Sequence, residues 1–259
     1  MRDKTGMTLL RPQNDFIRDM SLALSLLTRL PIKVNEDAYE KSANAAWAYP
    51  LVGLVTGVLA CLAAFAAMLL GLPLWCAALF AMATSMIVTG AMHEDGLGDC
   101  ADGFWGGWDP AMRLKIMKDS QIGTYGVLAL LVTQAIRFGA LQELLSWENW
   151  VLPLIAVHVA SRAVMPALMA YLPHARDTGL SRSVGKVSSR SALQALAIGT
   201  VALVLAFGFH GIWLALVVAV ATLFCARVAR AKVGGQTGDV CGATQQISEV
   251  ALFLALHTG

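Results

Sequence analysis

Residues 42–92, SANAAWAYPLVGLVTGVLACLAAFAAMLLGLPLWCAALFAMATSMIVTGAM, contain no Asp, Glu, Lys or Arg. The run is long enough for two membrane-crossing helices of about 20 residues each. Gly71-Leu72-Pro73 supplies the turn between them. Two further apolar spans run from about Tyr125 to Leu145 and from about Trp150 to Tyr171. Residues 191–226 again lack the four charged types and break at Gly208-Phe209-His210-Gly211, giving two spans near the short end of the usual range. A last segment, about Val240 to His257, is apolar only in its second half, and its crossing stays open. The sequence predicts an all-α, polytopic membrane helical bundle of about six to seven transmembrane helices. It forms one integral membrane domain, 1–259, with 1–45 as a cytoplasmic or interfacial N-terminal segment and 46–259 as the bundle.

Composition points the same way. Hydrophobic residues make up 57% of the chain and charged residues 14%, against about 25% charged in soluble domains. So few charges cannot cover a soluble surface, and lipid is the natural solvent. A net charge of +2 gives no reason to expect nucleic acid as a partner. Cys61, Cys76, Cys100, Cys225 and Cys241 form no C-x-x-C pair and read as small packing residues. No cleavable signal peptide is expected, because Arg18, Asp19 and Arg29 interrupt the first apolar stretch.

Lys and Arg set the orientation. They cluster in residues 1–45, at Arg113, Lys115 and Lys118, at Arg176, Arg182, Lys186 and Arg190, and at Arg227, Arg230 and Lys232. Of the 19 in the chain, only Arg137 and Arg162 fall outside these segments, both inside spans. The turns near 71–73, 146–149 and 208–211 carry none. All basic segments therefore share one side, expected to be the cytoplasm. Trp47, Tyr49, Tyr125 and Tyr171 fall near that interface, and Trp75, Trp147, Trp150 and Trp213 near the outer one.

The chemistry-bearing stretch is His93-Glu94-Asp95-Gly96-Leu97-Gly98-Asp99-Cys100-Ala101-Asp102-Gly103. Asp95, Asp99 and Asp102 are spaced i, i+4, i+7, which on a helix places three carboxylates on one face. Unpaired, they repel, and a hard cation relieves the repulsion. Mg²⁺ takes oxygen ligands and usually binds through one or two carboxylates plus substrate phosphates. Gly96, Gly98 and Gly103 would let a large ligand approach the backbone, while lowering helix propensity. The plainer alternative is a solvated acidic loop. His93 and Glu94 could support the ligands from behind, or His93 could be an interfacial residue.

Arg113, Lys118 and Asp119 follow on the same side. Cations beside a carboxylate-bound metal suggest phosphoryl transfer, although positive-inside topology alone would put Lys and Arg there. Gly234-Gly235-Gln236-Thr237-Gly238-Asp239 could cradle a phosphate, with Asp239 capping the last helix or adding a ligand. Gln245, Gln246 and Glu249 need polar partners, from substrate or from neighbouring helices. Arg137, His158 and Arg162 lie at membrane depth and could bind substrate or pair with Glu143.

HEDGLGDCADGF, then RLKIMKDSQIGTYG, then GGQTGDVCGATQQISEV closely resemble the cobalamin synthase family, with Thr28-Arg29-Leu30-Pro31 and the hydrophobic layout extending the match. The resemblance implies an adenosylcobinamide-GDP ribazoletransferase of the bacterial inner membrane. Its substrates would be adenosylcobinamide-GDP and α-ribazole or α-ribazole 5′-phosphate, its product adenosylcobalamin or its 5′-phosphate plus GMP, and its cofactor Mg²⁺. Combined with the residues, it makes Asp95, Asp99 and Asp102 the metal ligands. Those three with Lys118 and Asp119 are the catalytic candidates, and His93, Arg113, Gly235, Gln236, Thr237, Asp239 and Gln245 the substrate contacts. The lipid bilayer is a partner; a homo-oligomer or association with other cobalamin-assembly enzymes stays open. Glu94 stands where the family commonly has an apolar residue, and Gln121 where Arg is common. A CDP-alcohol-type membrane phosphotransferase, or an ion-coupled transporter using the intramembrane charges, is the alternative reading.

Overall fold

The structure, a computed structural model, describes residues 15–34, 39 and 42–257. Arg2, Asp3, Lys4, Arg11 and Lys41 of the charge pattern lie outside the described residues. Among those described the fold is all-α, with one isolated bridge between His174 and Gln236 and no strand.

Helix α1 (Asp15–Leu27) is followed by a 3-10 turn (Asn44–Ala48) that leads directly into α2 (Tyr49–Leu69). Then come α3 (Leu74–Thr89), α4 (Met92–Gly106), α5 (Pro110–Ile116), α6 (Thr124–Leu144), α7 (Val151–Ala163), α8 (Met165–Tyr171), α9 (Leu180–Val184), α10 (Ser189–Phe207), α11 (His210–Val233) and α12 (Gly238–Leu256). Five units are long and apolar enough to cross a membrane: 44–69, α6, α7 with α8, α10 and α11. Helices α3 and α4, bent 85° apart, make a sixth if read as one broken span. The bend falls at Gly90 and Ala91, both in left-handed backbone with φ of 65° and 56°. Glycine adopts that conformation freely and ends α3. The chain is thus a multi-pass membrane protein.

The span of α7 and α8 is central, with 78% of its most apolar window buried. Small residues let neighbours close on it, as is usual between helices in lipid. A Cβ at Gly53 of α2 would fall on the His158 carbonyl, and one at Gly57 would lie 3.1 Å from the Ile155 Cα.

Helix α12 is the C-terminal segment whose crossing the sequence leaves open. It starts beside Arg176 and ends where His257 meets the Ala140 carbonyl and the Trp147 ring. It therefore runs the depth of the bundle from the basic end to the turn between α6 and α7. It is less apolar than the five spans because the side chains it buries include Thr244, Gln245, Gln246, Ser248 and Glu249.

Except for Ser248, whose hydroxyl is buried without a hydrogen-bond partner, those polar groups are satisfied by each other, by their own helix and by other helices. Glu249 accepts from Arg137 at 2.6 Å, from Gln245 Nε2 at 2.6 Å and from Ser161 Oγ at 3.2 Å, with Arg162 at 3.8 Å. Arg137 also donates to Glu94, Gln246 and Gln134. Pairing with Glu143, one of the two alternatives for these groups, does not form among the described residues; Glu143 lies 3.4 Å from His257. The intramembrane charges are thus largely spent on holding α4, α6, α7 and α12 together, as buried charge in a bilayer requires.

Candidate active site

The acidic run is helical. Its three aspartates share α4 but differ in exposure: Asp95 is exposed, Asp99 half-buried and Asp102 buried. Asp102 accepts from Gly123 N at 2.7 Å and from Gly126 N at 2.9 Å. Its carboxylate therefore caps the first turn of α6, where free N–H groups and the helix dipole favour an anion. Each oxygen thus carries one backbone hydrogen bond of the fold.

Asp239 takes the third place beside Asp95 and Asp99, and this acidic cluster of α4 and α12 is the mouth of the candidate site. A Cβ at Gly96 would lie 2.7 Å from the Asp239 carbonyl oxygen. Only glycine lets α4 and α12 approach this closely, and the approach sets Asp239 in the electrostatic field that Asp95 and Asp99 share. The glycines of the run were expected to admit a ligand. Gly96 instead admits α12, and Gly103 admits Met117 and the Arg113 carbonyl.

Arg176 donates to Asp239 at 2.8 Å and tempers the acidic field at Asp99. It lies in the segment after α8, which is fastened to the glycine-rich loop. Gln236 N donates to the Pro173 carbonyl at 2.8 Å, and Ala175 N to the Gln236 carbonyl at 2.9 Å. The Gln236 side chain meets His174 Nδ1 and accepts from Ser181. Burial and the Arg182 charge hold His174 below the usual imidazole range. A Cβ at Gly235 would overlap the Pro173 carbonyl. Gly235 and Gln236, expected to cradle a phosphate, thus fasten two loops, and Thr237 caps α12 by accepting from Val240 N at 3.2 Å.

The remaining candidates divide. Lys118 reaches Thr178 at 3.0 Å, in the same segment after α8 that carries Arg176. Arg113 is committed to the carbonyls of Gly107, Trp108 and Lys232. Exposed Asp119 accepts from Gln121 N. Gln245 belongs to the buried network around Glu249. His93 is buried, away from solvent. The sequence reading missed Arg176 as a site residue because its charge served equally well as a topology marker.

Among the described residues no three His, Cys, Asp or Glu side chains converge into a ready-made metal cage. Asp95, Asp99 and Asp239 are nonetheless hard oxygen donors whose charges act on one another. That donor chemistry suits Mg²⁺, which completes its octahedron with water and substrate phosphates rather than with protein alone.

A profile of the cobalamin-5-phosphate synthase family matches residues 19–257. The chain belongs to the cobalamin-5-phosphate synthase family. It is therefore an enzyme of cobalamin synthesis. It is 42% identical to an adenosylcobinamide-GDP ribazoletransferase of Bradyrhizobium diazoefficiens over 240 residues, 92% of each chain. It is 41% identical to one of Mesorhizobium japonicum, over 91% of each chain. It is likewise 41% identical to one of Brucella anthropi, over 94% of this chain and 98% of the relative. No solved structure matches.

As a cobalamin-5-phosphate synthase, the chain brings together three motifs that lie far apart in sequence. The acidic run, the basic stretch with Lys118 and the glycine-rich loop meet at one end of the bundle, where Lys118 joins Thr178 and Arg176 joins Asp239.

Proposed function

We propose that the mouth formed by Asp95, Asp99, Asp239, Arg176 and Lys118 joins adenosylcobinamide-GDP to α-ribazole or α-ribazole 5′-phosphate, releasing GMP. The observation that carries this reading is the glycine-mediated contact of α4 with α12, which adds Asp239 and Arg176 to Asp95 and Asp99. The relatives' names supply the substrates.

The donor's pyrophosphate is anionic, and Arg176 and Lys118 provide cations at the rim to receive it. The acceptor's ribose hydroxyl attacks the phosphorus on the cobinamide side, the bond from that phosphorus to the departing GMP oxygen breaks, and the hydroxyl proton is released to solvent. Positioning and charge neutralisation carry most of such a transfer. Mg²⁺, held by Asp95, Asp99 and Asp239, would neutralise the pyrophosphate and the leaving group. Arg176 then has a second duty: it limits the mutual repulsion of the acids when no cation is bound.

The mouth faces the cytoplasm in this reading, and the membrane is the bacterial inner membrane. Direct contacts support a single basic end: Arg113 to Lys232, Lys118 to Thr178 and Arg176 to Asp239. Basic loops are retained on the cytoplasmic side.

The test is purified protein in lipid nanodiscs with both substrates, assayed for GMP and cobalamin with and without Mg²⁺. GMP release that needs both substrates, stops with a chelator and returns with Mg²⁺ is expected. Asp95→Asn and Asp99→Asn should insert normally and lose turnover by at least about a hundredfold. Undiminished turnover in either variant would refute the site.

A further inference from the structure

Helices α6 and α11 flank a groove whose floor is α4 and α12. Ala129 and Thr133 of α6 form one wall, Phe224 and Val228 of α11 the other, and the floor includes Cys100 of α4 and Val240 of α12. The groove holds some 730 Å³ of space, part of it open at the surface, and its lining is almost wholly apolar. Both flanking helices are membrane spans, so the open side meets lipid. Such a groove is poorly served by vacuum or water: bare walls forfeit dispersion contacts, and water finds no partners. Hydrocarbon fills it without either penalty. The rim says which hydrocarbon. Phe224, Val228 and Lys232 follow at i, i+4 and i+8 on one face of α11, so that wall leads to the Lys232 ammonium. The ammonium donates to the Phe104 carbonyl at 3.0 Å and lies 5.0 Å from the centre of the Trp105 ring; Phe104 and Trp105 both line the groove. An ammonium has three donors, which leaves two for a ligand. Arg113 donates to the Lys232 carbonyl at 2.9 Å and brings a second cation to this end. On the facing wall, exposed Tyr125 precedes Ala129 and Thr133 on the same face of α6. Trp, Tyr and Lys at the end of an apolar groove mark the headgroup level of a bilayer.

We propose that this groove seats an acyl chain of an anionic phospholipid, whose headgroup is held by Lys232 with Arg113 beside it. Charge complementarity selects the headgroup. Cations between spans at the interface attract anionic lipid, whereas a zwitterionic lipid brings an ammonium of its own against Lys232. The seat has a mechanical consequence. Cys100 and Val240 of the floor directly follow Asp99 and Asp239, so the lipid chain packs on the same two helices whose contact sets the acidic mouth. The lipid thereby braces α4 against α12. No bond forms or breaks in the groove, and its occupant is the same whichever substrates the mouth takes.

The experiment is native mass spectrometry of the full chain in detergent, titrated with phosphatidylglycerol or with phosphatidylcholine of the same chain length. The wild type should retain one phosphatidylglycerol, held about tenfold more tightly than phosphatidylcholine, as two cations at the headgroup level imply. Lys232→Gln should cut that preference to about threefold or less. Ala129→Phe and Thr133→Phe fill the groove from the partly exposed wall of α6 and leave α4 and α12 untouched. Each should weaken retention of phosphatidylglycerol by about tenfold and lose the rise in Tm that this lipid gives the wild type. Equal retention of the two lipids by the wild type, an unchanged preference in Lys232→Gln, or undiminished retention in both filled variants would each overturn the proposal. So would a different apolar molecule that purifies with the chain and yields to neither lipid. Turnover is not read in this experiment, so a failure of the ribazole-transferase reading leaves its result standing.

Discussion

Asp102 gives both carboxylate oxygens to the first turn of α6, through Gly123 and Gly126. Asp95 and Asp99, on the same helix, face the mouth beside Asp239. One spacing motif thus serves two purposes, and substitution separates them. Asp102→Ala removes a cap and should lower stability by about 1–2 kcal/mol, seen as a lower Tm in detergent or nanodiscs. The folded fraction should keep most of its turnover. An unchanged Tm with abolished turnover would return Asp102 to the reacting centre.

At the scale of the element, the contact between α4 and α12 decides the site. Gly96 is where the two backbones touch. Gly96→Val must push the helices apart and carry Asp239 away from Asp95 and Asp99. Misplacement of about 1 Å costs about a hundredfold in rate, so kcat should fall by that order while the far end of α12 stays seated. Near wild-type kcat in Gly96→Val would show that Asp239 is not part of the acid group. The cap formed by Thr237 and the pairing of Gln236 with Pro173 and Ala175 fix the other end of this geometry. The glycine-rich loop matters here as a fastener between the segment after α8 and α12.

At the scale of the whole molecule, a buried polar network and a one-sided charge distribution set stability and orientation. Glu249 is 1% exposed and meets Arg137, Ser161 and Gln245, with Arg162 at the edge of pairing range. Glu249→Leu leaves buried Arg162 without a carboxylate and Arg137 with Glu94 alone, and should cost about 3–5 kcal/mol, measured as a fall in Tm or in folded yield. Glu249→Gln, which keeps an acceptor oxygen, should cost less. If Glu249→Leu is as stable as the parent, the network does not hold the bundle. Orientation has its own check. In a chain whose native cysteines are replaced, Lys186→Cys should react with an impermeant thiol reagent only in inverted vesicles, and Phe209→Cys only from the outside. The reverse pattern would move the mouth to the other face.

The sequence by itself determined the all-α membrane architecture, the placement of the spans and the family. Uninterrupted apolar runs such as residues 42–92 have few other physical solutions, because lipid leaves the backbone only its own hydrogen bonds. It also fixed the basic end, since Lys and Arg avoid the far loops. What remained illegible were the partners of individual polar groups. Nothing local distinguishes Asp102, which caps a helix 21 residues away, from Asp99, which faces the mouth. Glu249 looked like a substrate contact as readily as a structural anchor until Arg137, 112 residues earlier, was found against it. Likewise the spacing of the acidic run could not reveal that Gly96 makes room for Asp239. Those assignments depend on which helices cross and how closely, and tertiary packing alone decides that.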